Sequence, residues 1–238
     1  MNAQRRPQGA VCYLCGKFGA DTTEHVVPSC LYVGNLPSDV ITLPAHGGCN
    51  AATSRDEEVF RNHISVAIAP DKPGHGLWAK TWKAIHRPQA AGMQREFYSE
   101  MLTELARDED GVLQRSPVAA RLKHERAEWV LAKIVKGLYT WNTGDLLPSS
   151  KVRWLFGQAE NGRDQVVLPE AFVVHEVLAV RWGRVEREPF ATMWILGFYG
   201  TVWFWVTTIP TTRMLYNRTQ GARPMIWPPS APGTRMRR

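Results

Sequence analysis

Residues 12–50 read CYLCGKFGADTTEHVVPSCLYVGNLPSDVITLPAHGGCN, and this stretch decides what the N-terminal part of the chain builds. At its ends stand two pairs of metal-ligand residues with the same spacing, Cys12-Tyr13-Leu14-Cys15 and His46-Gly47-Gly48-Cys49. Together they offer four nitrogen and sulfur donors, the set a closed tetrahedral zinc site requires. Gly47 and Gly48 let the second pair turn tightly around an ion. No strand–helix–strand pattern of the thioredoxin type surrounds the first pair, so a redox dithiol is the weaker reading. Cys30 lies between the pairs and is an alternative to His46 as the fourth ligand.

Between the pairs, residues 24–28 read EHVVP. An imidazole ordinarily titrates close enough to neutrality to take a proton from water. A carboxylate is a hard oxygen ligand suited to magnesium or manganese. Adjacent residues on a strand point to opposite sides, so Glu24 and His25 can serve a cation and a water separately. The chemistry these residue types suit is hydrolysis of a phosphodiester, which needs an activated water and a cation on the developing charge.

In order and spacing, Cys12, Cys15, Glu24, His25, Pro28, Cys49 and Asn50 resemble the motif of the HNH endonucleases, the ββα-metal or His-Me finger family. The resemblance covers roughly residues 10–65, about a quarter of the chain. It implies a β-hairpin and a helix around one cation, propped by a structural zinc on Cys12, Cys15, His46 and Cys49. It implies His25 as general base, with Glu24 and Asn50 holding catalytic Mg2+ or Mn2+. Products would carry a 5′ phosphate and a 3′ hydroxyl, and the setting would be bacterial or phage, including their defence systems. The family orients its base with a residue ahead of the second knuckle, and Asp39 and Asn35 are the candidates for that place. His46 stands where the family more commonly has cysteine, an exchange zinc tolerates. A second reading from the same residues is a zinc-stabilised nucleic-acid-binding module without catalysis.

The charge balance suits either reading. Lys and Arg outnumber Asp and Glu by 29 to 22, a formal charge of +7, which favours a polyanionic partner. Nucleic acid is the expected partner, DNA ahead of RNA, and a homodimer is left open. Arg55, Arg61 and Lys17 flank the proposed site and are expected to meet phosphates without reading sequence. Glu57 and Glu58 lie on the same predicted helix and can help bind cations or support its N-terminus. Trp78 and Trp82, four residues apart near Lys80 and Lys83, are expected to pack inside rather than touch nucleic acid. His63 is expected to be structural.

The fold class expected is α+β: a small ββα-metal domain over 10–70, a further α+β domain over 90–220 for target recognition, sensing or dimerisation, and a basic tail over 221–238. Val40-Ile41-Thr42-Leu43 reads as a strand. Val59, Phe60, Ile64, Ala67 and Ile68 repeat at helical spacing, with Ser54 and Glu57 as a capping box. Residues 93–107 read as a helix, and Ser116-Pro117 as the start of a longer one whose apolar face is Ala127, Leu131, Ile134, Val135 and Leu138. From Lys151 the period falls to two, as in an antiparallel meander, with His175 on one face of a strand. Residues 190–209 are uncharged, but Gly197 and Gly200 and the Thr, Val and aromatic content favour two buried strands and a turn over a membrane span. With polar residues at 2–10 in place of a leader, the cytoplasm is the expected compartment.

Overall fold

The computed structural model describes residues 9–68, 73–107, 113–120, 124–159 and 168–211; the expected basic tail lies outside them. Strands β1 (Ala10–Val11) and β2 (Phe18–Ala20) form a small antiparallel hairpin whose turn carries Cys12 and Cys15. Strand β3 (Thr22–His25) pairs antiparallel with β4 (Thr42–Ala45), setting Glu24 opposite Leu43 and His25 opposite Thr42. The expected strand at 40–43 thus starts two residues later than its apolar run. A single-turn helix α1 (Gly47–Ala51) follows, then α2 (Ser54–Ala67).

Helix α2 begins at Ser54, but the expected capping box does not form. Thr53 occupies the N-cap position, and the Ser54 hydroxyl turns back to the carbonyls of Ala51 and Asn50 at 3.1 and 3.5 Å. Serine readily bonds the backbone three or four residues behind it, and here the preceding turn α1 offers those acceptors.

Helices α3 (Gly76–Ile85) and α4 (Ala91–Glu100) come next. The expected helix over 93–107 is cut short: Met101–Arg107 is strand β5, paired antiparallel with β6 (Leu113–Ala120). Ser116-Pro117 therefore lies inside a strand and caps no helix. The register shifts beside it, between Leu102 and Thr103, and a two-stranded ladder has only edges, where proline's missing N–H is tolerated. Helix α5 instead starts at His124 and runs to Thr143. It ends where Gly144 takes φ +77°, with its N–H bonded to the Thr140 carbonyl at 2.9 Å.

The C-terminal sheet has five strands: β7 (Val152–Ala159), β8 (Glu170–Val174), β9 (Leu178–Val185), β10 (Glu188–Phe198) and β11 (Val202–Pro210). Their order is β7-β11-β10-β9-β8, all antiparallel, so 8 to 11 form a meander and β7 joins its far edge. The uncharged stretch at 190–209 is the β10–β11 hairpin, turning at Tyr199-Gly200. Among the described residues no helix is long and apolar enough to cross a membrane. His175 does not sit in a strand. It takes φ 50° in the turn between β8 and β9.

One apolar core joins these parts. Val26 just after β3, Phe60 and Ile64 of α2, Leu131, Ile134 and Leu138 of α5, and Trp194, Phe198, Phe204 and Val206 of the sheet belong to it. Trp182 and Trp194 stack across β9 and β10 at 4.7 Å. Helix α5 approaches the β3 side so closely that a Cβ on Gly137 would lie 2.6 Å from Val26 Cγ1. The β1–β2 hairpin and the turn from β4 into α1, together a clasp that carries Cys12, Cys15, His46 and Cys49, have their own small cluster, Cys12, Tyr13, Ala20 and Ala45.

Candidate functional site

The ligating atoms of Cys12, Cys15, His46 and Cys49 lie within 4.8 Å of one another, so this set can hold a metal ion such as zinc. Zinc–sulfur bonds of about 2.3 Å in a tetrahedron set sulfurs about 3.8 Å apart, which matches this spread. His46 Nδ1 is 3.4 Å from Cys15 Sγ and 3.8 Å from Cys49 Sγ. Its other nitrogen, Nε2, is 3.1 Å from the Phe18 carbonyl. A proton on Nε2 donated to that carbonyl leaves Nδ1 free to ligate, the usual outer-shell arrangement of a metal-bound histidine.

Local structure delivers the four donors. The β1–β2 turn presents Cys12 and Cys15, and the Gly47 N–H bonds Asp21 Oδ1 at 2.8 Å, fixing the start of α1 beside them. From α5, Lys136 Nζ donates to the Leu14 carbonyl at 3.0 Å and ties the clasp to the long helix. Burial raises the Cys12 thiol's pKa, but backbone N–H groups of Cys15, His46 and Leu14 directed at the sulfur outweigh it and bring it down to about 7. Burial pushes Cys49 up, reinforced by the Cys15 and Cys12 sulfurs, which disfavour a second negative charge. A bound cation relieves that repulsion. Cys30 stands apart: its Sγ faces the Glu57 carbonyl at 3.5 Å, and burial pushes it up to about 11. Of the two alternatives for the fourth donor, the cluster contains His46.

Alternation along β3 turns Glu24 inward and leaves His25 partly exposed. Glu24 is 5% exposed, and its Oε1 accepts from the Lys133 ammonium of α5. The same ammonium donates to Glu57 Oε1 from α2. Thr53 adds its hydroxyl, 3.0 Å from Glu57 Oε1 and 3.1 Å from the Asn50 carbonyl. The buried Tyr13 hydroxyl has no hydrogen-bond partner among the described residues. Burial and then the charges of Glu24 and Glu57 hold its pKa well above the ordinary value. Strand, two helices and clasp thus meet at one lysine held between two carboxylates.

The other expected residues are distributed unevenly. The His25 ring and the Asn50 side chain each make no hydrogen bond to a described residue. Asn50 lies in α1, joined to Glu57 through Thr53. Asp39, 80% exposed, faces His175 at 3.5 Å, and Asn35 is exposed in the β3–β4 connection. Arg55 is exposed and pairs with Glu96 at 3.6 Å, while Lys17 is exposed on the clasp. Arg61 is 4% exposed, its guanidinium folded onto Asn62 Oδ1 at 2.7 and 3.2 Å. The expectation that it meets phosphate fails because α2 turns that face into the protein. His63 is buried, with Nδ1 2.7 Å from the Val59 carbonyl and Nε2 2.8 Å from Glu100.

Sequence reasoning missed Lys133 and did not single out Thr53. The signal for Lys133 was faint: a lysine next to Ile134 on the apolar side of α5, where a solvated position would be expected a turn away. No protein-family model, curated protein or solved structure matches this chain.

Proposed function

We propose that the protein is a metal-dependent endonuclease of the HNH kind, acting on nucleic acid, with DNA the favoured substrate. The observation that carries the reading is a Cys3His cluster built onto a hairpin whose strand β3 turns Glu24 inward and its neighbour His25 toward solvent. His25 takes the proton of the attacking water, and its unbonded ring is available for that role. Glu24 and Asn50 offer oxygen donors that suit a hard divalent ion, and the unpartnered Tyr13 hydroxyl marks a polar interior beside Glu24. When bound, magnesium or manganese supplies charge neutralisation for the phosphorane-like state and the leaving 3′ oxygen. Arg55 and Lys17 are exposed cations that can meet the backbone.

One observation favours the second reading, a zinc-stabilised nucleic-acid-binding module without catalysis. Lys133 already neutralises both Glu24 and Glu57, and a lysine in that place competes with a divalent ion. Cleavage of plasmid DNA by wild type and His25→Ala, with and without added magnesium, separates the two. The nuclease reading expects magnesium-dependent cutting that falls about a hundred- to ten-thousand-fold in the variant. No cutting by wild type, or equal cutting by both, rejects it.

A further inference from the structure

Helices α3 and α4 carry an aromatic surface that the proposed nuclease site does not use. Trp82 is 47% exposed and Tyr98 45% exposed, against the expectation that the α3 tryptophans pack inside. Trp82 lies 3.9 Å from the His86 ring, and the Tyr98 hydroxyl is 3.3 Å from His86 Nε2. Trp78 continues the row at 5.7 Å from Trp82, and the two line an open surface cavity of about 350 Å³ with Ala79 and Lys83. Trp82, His86 and Tyr98 are thus held as a row of partly exposed rings.

The acidic groups next to Tyr98 are already engaged, Glu96 by Arg55 and Arg126 and Glu100 by His63, and the chain before them carries charge of one sign. From Pro73 to Arg95 the chain contains Lys80, Lys83, Arg87 and Arg95 and no Asp or Glu. Lys83, Arg87 and Arg95 are exposed, and none is ion-paired with a described residue. Lys80 is engaged elsewhere, its Nζ donating to the Tyr32 carbonyl at 3.1 Å, which anchors α3 to the β3–β4 connection. Leu77 and Ile85, the large aliphatic side chains of α3, turn inward, so the helix exposes rings with polar edges, cations and the small Ala79.

We propose that this face binds an unpaired nucleic-acid strand, with bases stacking on Trp82, Tyr98 and the His86 ring and phosphates meeting Lys83, Arg87 and Arg95. Stacking needs bases that are not already stacked in a duplex, and the π-face of any base suffices. A membrane surface would be met by large aliphatic side chains beside the tryptophans, and those of α3, Leu77 and Ile85, are buried. The site goes beyond the nuclease reading and needs neither His25 nor divalent ions. A strand bound here would be held beside the β3–β4 connection through which Lys80 reaches Tyr32.

The test is fluorescence anisotropy of a labelled oligothymidylate of about 15 nucleotides, long enough to cover one binding surface. The full chain carries His25→Ala and no magnesium is added, so cleavage does not enter. Trp82→Ala should weaken binding about five- to a hundred-fold, and Trp82→Phe should restore most of it because a ring remains. Lys83→Glu with Arg87→Glu should weaken binding and flatten its salt dependence. A hairpin duplex of the same length should bind more weakly than the single strand, and anionic phosphatidylserine vesicles should not compete. Equal binding by Trp82→Ala at an unchanged melting temperature overturns the proposal. So does tighter binding to duplex than to single strand, or binding to vesicles but not to the oligonucleotide.

Discussion

The clasp and the sheet are held by different forces. Around the clasp the buried apolar set is small: Cys12, Tyr13, Ala20 and Ala45. The main core runs from Val26 through α2 and α5 to the sheet, where Trp182, Trp194, Phe198 and Phe204 are all buried. A fully buried Leu- or Phe-sized side chain is worth about 1.5–3 kcal/mol, so the sheet side can stabilise itself and the clasp cannot. A metal held by Cys12, Cys15, His46 and Cys49 can supply what the clasp lacks in apolar burial. Between them lies α5, with Lys136 on the clasp, Lys133 on the two carboxylates and Leu131, Ile134 and Leu138 in the core.

The largest effect is expected from denying the four-donor cluster a metal. Structural zinc contributes on the order of 10 kcal/mol in small sites near neutral pH. Cys12→Ser, or a chelator of zinc, should unfold β1, β2 and α1 while the amides of β9, β10 and β11 keep their protection in hydrogen exchange. Simultaneous loss of protection in both regions would mean that the clasp and the sheet are one cooperative unit. Binding requires deprotonated thiols, so zinc affinity should fall as pH drops from about 11, where the Cys49 thiol takes its proton, and more steeply below about 7, where Cys12 adds a second competing proton.

A smaller effect is expected at the joint. Lys133→Ala leaves the buried Glu24 and the partly buried Glu57 facing each other without a cation and should cost about 3 kcal/mol in urea unfolding. Lys133→Met together with Glu57→Gln should recover part of that loss, because the charge is removed along with its partner. A single variant that unfolds like wild type would show that the cluster is not buried as described. Smaller again is Gly137→Ala, where a methyl would meet Val26; overpacking of this kind costs about 1–3 kcal/mol. If Gly137→Ala were neutral, α5 would have room to shift away from β3.

What could be read from the sequence follows the same division. The clasp was legible because ligand spacing is a local property: Cys12-x-x-Cys15 and His46-x-x-Cys49 need only short turns to bring their donors together. Helix α2 and the β10–β11 hairpin were legible because Phe60 and Ile64, or the alternating residues from Val202 to Val206, repeat at the period of their element. Lys133 was not legible, since its partners lie on β3 and α2 far away in the chain, and nothing local marks a lysine as buried. Ser116-Pro117 misled because a helix-start signal is also compatible with a two-stranded edge, and pairing with β5 decides between them. Arg61 misled in the other direction, as a charge on an amphipathic helix is usually solvated.

The proposed nuclease site requires Glu24 to bind a divalent cation even though Lys133 sits on it. Calorimetric titration of magnesium or manganese into the zinc-loaded protein tests this without any substrate. Saturable binding by wild type is expected, lost in Glu24→Gln and weakened in Asn50→Ala, with zinc content unchanged in all three. No binding by wild type, or equal binding by Glu24→Gln, would contradict it and leave Lys133 as the cluster's own cation.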